Sequence, residues 1–92
     1  KDWEDFKRRF EEVHQDFFRI LKVICPKLSS NELKLCTLLK LNMNLKEAAS
    51  IMGISPESVK TARYRLRKKL NLSREDNLID FIIHLEGSIP KL

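Results

Sequence analysis

Two glycines, three prolines, two cysteines, one tryptophan and one tyrosine are all that this 92-residue chain has of those types. With so few turn formers and no β-branched alternation, a sheet of hairpins is excluded and helices are expected throughout. Cys25 and Cys36 stand far from any CxxC, and His14 and His84 share no ligand-type spacing with each other or with the cysteines, so no metal site is expected. The two thiols read as core packing in a reducing cytoplasm, with a disulfide as the alternative. A Gly-rich phosphate loop, a nucleophile elbow and paired carboxylates are absent, which argues against an enzyme and against a cofactor. One Tyr and one Trp make no run of stacking aromatics, so RNA is a poorly supported partner. No apolar run could cross a membrane and no signal-peptide pattern appears. The chain begins at Lys1, not Met, so it is expected to be a piece of a longer cytoplasmic or membrane-anchored protein.

What the chain has is local basicity. Between Ser58 and Arg74 lie seven positive charges (Lys60, Arg63, Arg65, Arg67, Lys68, Lys69 and Arg74) and no acid. Taking those seven from the chain's net +5 leaves −2 for the remainder, so a polyanion would meet one segment and not the whole surface. Ser55 as N-cap and Pro56 at the first helical position start a helix over 56–70. At 100° per residue Val59, Leu66 and Leu70 share one side, with Ala62 and Arg63 at its edges. Glu57, Lys60, Thr61, Tyr64, Arg65 and Lys68 fall opposite. A solvated basic face on an ordinary surface helix would read the same way.

The preceding residues narrow the choice. Asn44 and Glu47 form a capping pair, and Leu45, Ala48, Ala49 and Met52 make a helical stripe. Gly53 suits the left-handed residue that ends a helix, and Ile54 is expected to be buried in the turn. A short helix, a Gly turn and a second helix with a polar outer face form the helix-turn-helix pattern, in which small residues such as Ala48 and Ala49 allow a close crossing. Ser29 with Glu32 makes a capping box for an earlier helix. Leu33, Leu35, Cys36, Leu38, Leu39 and Leu41 mark that helix as the scaffold.

Leu28-Ser29-Ser30-Asn31-Glu32-Leu33, Lys46-Glu47-Ala48-Ala49, Ile54-Ser55-Pro56-Glu57-Ser58-Val59-Lys60 and Leu66-Arg67-Lys68-Lys69-Leu70 together resemble the LuxR/NarL/GerE-type helix-turn-helix domain of bacterial transcription regulators. The resemblance covers 28–85. Ala62 stands where that family often has His and Ala49 where it often has Ile, so looser packing is expected there. Arg63 to Leu70 is also similar to the version found at the C-terminus of Bacteroidetes regulators with large sensory N-terminal parts. The resemblance implies double-stranded DNA as partner, a homodimer, RNA polymerase as a further partner and a sensory domain upstream in the same chain. It implies base contacts from Lys60, Thr61 and Tyr64, on the outward side of the first turns. Phosphate contacts fall to Lys46, Ser55, Ser58, Arg65 and Lys68. A sigma-factor-like promoter-reading domain and a helical module for an acidic protein partner are the alternatives.

The two ends suggest contacts between subunits. Trp3, Phe6, Phe10, Val13, Phe17, Ile20 and Ile24 repeat at spacings of 3 and 4, an a/d heptad on one helix over 2–25. Glu4 with Arg8 and Asp5 with Arg9 add i, i+4 pairs. This helix is either a coiled-coil seam, with Trp3, Phe6 and Phe10 at the dimer contact, or a helix that packs on its own domain. A last helix is expected over 74–86 with Ser73 as N-cap. Its Leu78, Phe81, Ile82 and Leu85 face inward, and Ile79 and Ile83 form a second strip that the resemblance makes a dimer contact. The expected fold is therefore all-α: a four-helix helix-turn-helix domain over 28–92, preceded by a long amphipathic helix over 1–27.

Overall fold

The computed structural model describes residues 2–87, and among them every regular element is helical. In chain order these are α1 (Asp2–Val13), α2 (Phe17–Ile24), α3 (Ser30–Lys40), α4 (Leu45–Met52), α5 (Pro56–Lys69), α6 (Leu78–Ile83) and a closing 3-10 turn, Leu85–Gly87.

The three middle helices begin where their caps are. Ser29 Oγ accepts from the Glu32 N–H at 3.2 Å while Glu32 Oε1 accepts from the Ser29 N–H at 2.8 Å. Asn44 and Glu47 repeat the arrangement at 2.8 and 3.0 Å. Ser55 Oγ accepts from the Ser58 N–H at 3.1 Å, with Pro56 at the first helical position. Each such cap contributes about 1 kcal/mol. The same helices end alike, on a left-handed residue: Asn42 (φ 60°), Gly53 (φ 70°) and Asn71 (φ 62°). After each comes a backbone bond that reaches back five residues: Met43 N–H to Leu38 O, Ile54 N–H to Ala49 O and Leu72 N–H to Arg67 O, all at 3.1 Å. That is the Schellman stop. Only Gly53 was anticipated; asparagine, which tolerates the left-handed region, serves at the other two.

The first helix departs from expectation. It breaks at His14–Asp16 instead of running through, and the heptad seam breaks with it. Along a straight helix Phe10 and Phe17 would lie about 10 Å apart in height. Here their rings meet edge-on with centroids 5.3 Å apart, and Phe18 sits 5.7 Å from Phe10 and 5.4 Å from Phe17. The bend leaves Val13 75% exposed but buries Phe10, Phe17 and Phe18 together. Burying a phenylalanine stabilises by roughly 1.5–3 kcal/mol, which outweighs one valine left in water. Asp5 pairs with Arg8, not with Arg9, in α1.

The last helix is also shorter than expected. It starts at Leu78, with Asn77 Oδ1 accepting from the Asp80 N–H at 2.9 Å. Ser73 instead closes a small turn with Asp76, whose Oδ2 accepts from the Ser73 N–H at 2.9 Å and from its hydroxyl at 3.1 Å. The Arg67 guanidinium donates to the Ser73 and Asp76 carbonyls. Those are acceptors that a helix begun at Ser73 would need for its own ladder.

The buried side chains form one cluster from Phe10 to Leu85, and residues on both sides of the boundary expected at residue 27 belong to it. α3 is central, with Leu35, Cys36, Thr37, Leu38 and Leu39 buried and α4, α5 and α6 packed on it. Leu41, by contrast, is exposed. Thr37 meets its hydrogen-bonding need within the helix by donating to Leu33 O at 3.0 Å. Both cysteines are buried free thiols. Burial, with lesser help from Glu32 and Cys25, pushes the Cys36 thiol up to about 12, so it stays neutral and unreactive at pH 7.

Candidate nucleic-acid interface

α4 packs more extensively on α5 than on any other element. Ala48 and Ala49 are almost fully buried, as a close crossing requires. The Gly53 stop and the Ser55 cap then fix where α5 leaves. Of the turn residues, Ile54 is 40% exposed and so is not the buried residue expected: its N–H is held by Ala49 O while its side chain remains at the surface.

Inward, α5 presents Val59, Leu66 and Leu70, all buried. Outward, Lys60, Thr61, Tyr64, Arg65 and Lys68 are all exposed on one face, as are Lys46 at the start of α4 and Ser55 and Ser58 at the start of α5. Thr61 Oγ1 donates to Glu57 O at 3.2 Å, which leaves its methyl group and the acceptor side of its oxygen to face outward. Tyr64 is 58% exposed, and the Lys68 ammonium lies 4.9 Å from its ring centroid, a cation–π pair that orders both side chains. Among the described residues Lys60, Arg65 and Lys46 have no acidic partner.

The other cations of the segment are used differently. Lys69 Nζ binds Glu32 Oε1 at 2.8 Å and Lys27 O at 3.3 Å. Burial alone would raise the pKa of Glu32, but the hydrogen bonds from Lys69 and from the Ser29 backbone, with the Lys69 charge, outweigh it and hold the carboxyl below its ordinary range. Arg67 clamps the loop before α6, and Arg63 is half-buried beside α4. Glu57 lies exposed in the centre of the outward face, where the wheel puts it, although it is not among the expected contact residues.

At the two ends, Ile79 and Ile83 are half-buried, with Ile79 packed against the core cluster. The Ile83 carbonyl accepts from Lys40 Nζ at 2.5 Å. Phe10 is 5% exposed and already covered by its own chain, so in this conformation it is not available to a partner, whereas Trp3 and Phe6 are half-buried. Trp3 lies beneath the ammonium of Lys34, 5.1 Å from the ring centroid, so the start of α1 rests on α3. No group of three or more metal-ligating side chains comes together among the described residues, and no described helix is long and apolar enough to cross a membrane. No family model, curated protein or solved structure matches the chain.

Proposed function

We propose that this chain binds double-stranded DNA sequence-specifically, as the helix-turn-helix output domain of a bacterial transcription regulator of LuxR/NarL/GerE type, with no catalytic role. The observation that carries the reading is the division of α5. Val59, Leu66 and Leu70 lock one side into the core, while Lys60, Thr61, Tyr64, Arg65 and Lys68 stand together in solvent on the other. A helix so held, preceded by a tight turn and a short helix, can enter the major groove with its first turns at the base edges.

In this reading Lys60 donates to guanine O6/N7 and the Thr61 methyl packs on a thymine methyl, with Tyr64 beside them. Glu57 joins them as an acceptor for a cytosine amino group. Arg65, Lys68, Lys46, Ser55 and Ser58 hold phosphates and carry no sequence information. A lone domain buries only about 600–1,000 Å² on DNA, so two copies on neighbouring half-sites are expected, joined through Ile83 and the exposed part of Ile79, with Trp3 and Phe6 as the second surface. An upstream sensory part and RNA polymerase complete the proposed partners.

Selection of bound sites from a randomised duplex pool tests this. The parent enriches a defined motif. Lys60→Ala relaxes that motif at one position and costs about 1–3 kcal/mol, while Lys68→Ala weakens all duplexes alike. A pool that stays random after selection by the parent overturns the reading. Steep loss of duplex binding with salt separates it from a module for an acidic protein.

A further inference from the structure

Beside α5, on the edge that carries Pro56 and Arg63, lies an open groove of about 600 Å³ between the start of α4, the start of α5 and α6. Met43, Leu45, Pro56 and Ile79 make most of its wall apolar, and two neutral amides, Asn42 and Asn44, and two cations, Lys46 and Arg63, line it as well. No acid lines it. Arg63 is half-buried, yet among the described residues it has no carboxylate partner, unlike Lys69 on the opposite edge of the same helix, which binds Glu32. A half-buried guanidinium bordering apolar walls is a place where a carboxylate gains more than it would in open water.

We propose that this groove docks a short segment of a partner protein in which a carboxylate flanks one or two large apolar side chains. The carboxylate meets Arg63 in a two-pronged pair, and the apolar side chains fill the space between Met43, Leu45 and Ile79. The charge pattern argues for this occupant over a neutral apolar one, because cations on an apolar groove disfavour a purely hydrophobic guest and select an acidic one. The walls argue against a nucleic-acid phosphate, which would leave four apolar side chains uncovered. The groove shares Lys46 and Ile79 with the DNA reading, whereas Met43 and Arg63 have no role in it, so a change at Arg63 tests the groove apart from that reading.

The probe is the peptide acetyl-Asp-Leu-Leu-Asp-Phe-Leu-amide, with a twin in which both aspartates are replaced by asparagine, titrated into the 92-residue chain and followed by two-dimensional NMR. The acidic peptide is expected to shift the Met43 and Ile79 methyl signals and the Arg63 side-chain N–H, and to bind at least about five-fold tighter than its twin, the worth of one charge-assisted pair. Arg63→Gln should remove that difference and leave the twin's binding unchanged, with the thermal midpoint reporting that the variant is folded. Three results overturn the proposal: no shift at Met43 and Ile79; shifts confined to the Lys60–Arg65–Lys68 face; or groove signals that move with protein concentration alone, which would mean that a second copy fills the groove.

Discussion

α5 carries two sets of cations that differ in what they touch. Arg67 and Lys69 spend their donors on their own chain, Arg67 on the Ser73 and Asp76 carbonyls and Lys69 on Glu32 and the Lys27 carbonyl. Among the described residues Lys60 and Arg65 stand exposed without an acidic partner, and Lys68 leans on the Tyr64 ring. A charge count treats these as one basic segment. The geometry shows that two of its cations are mortar between α5, α3 and the loop before α6, and that Lys60, Arg65 and Lys68 are free for a ligand.

That division can be broken from the inside first. Leu66 is fully buried at the centre of α5's inner face, so Leu66→Ala should cost about 2–5 kcal/mol in a denaturant melt and release both sets of cations together. Next, Lys60→Ala and Arg65→Ala should each leave stability within about 0.5 kcal/mol of the parent, while Lys60→Ala weakens binding to the preferred duplex by about 1–3 kcal/mol and Arg65→Ala weakens all duplexes alike. Arg67→Ala should do the reverse. It frees the Ser73–Asp76 turn, costs about 1 kcal/mol of stability, and affects duplex binding only as far as the fold loosens. Equal effects of Arg67→Ala and Arg65→Ala on both readouts would erase the distinction.

Smaller effects sharpen it. The Glu32 carboxyl, depressed by its contacts with Lys69 and Ser29, stabilises the fold above its unfolded-state pKa, and that contribution disappears as pH falls through the lower folded value. Melts of the parent and of Glu32→Gln should therefore differ at neutral pH and converge as pH drops below the ordinary value of 4.5. Gly53→Ala meets no atom within 4 Å of the added Cβ, so its whole cost is the left-handed backbone, about 1 kcal/mol. If it melts like the parent, the α4–α5 turn is not held by that residue's conformation.

What was legible in the sequence was local. Ser29, Asn44 and Ser55 announced three helix starts because a cap is decided within four residues, and the outward face of α5 followed from the wheel because its inner apolar positions agree. What was not legible depends on residues distant in sequence or on competing partners. The break at His14–Asp16 is set by Phe10 meeting Phe17 and Phe18, against a heptad pattern that local periodicity reads as continuous. Asn42 and Asn71 as helix stops were missed because asparagine also fits a helix surface. Ser73 looked like a cap, and does bond Asp76, but Arg67 six residues earlier takes the carbonyls a helix there would use. The division of the cations was illegible for the same reason: Glu32 is 37 residues from Lys69.

The central claim is that the free cations of α5 meet nucleic acid, Arg65 and Lys68 at phosphates and Lys60 at a base edge, and that the anchored ones do not. The direct measurement is duplex affinity against salt concentration for the parent, for the triple variant Lys60→Ala/Arg65→Ala/Lys68→Ala, and for Lys69→Ala. The account predicts that the triple variant melts like the parent and loses about two from the slope of log K against log salt, one each for Arg65 and Lys68, while Lys69→Ala keeps the parent's slope. A triple variant that is folded and binds duplex DNA with the parent's affinity and slope would contradict it.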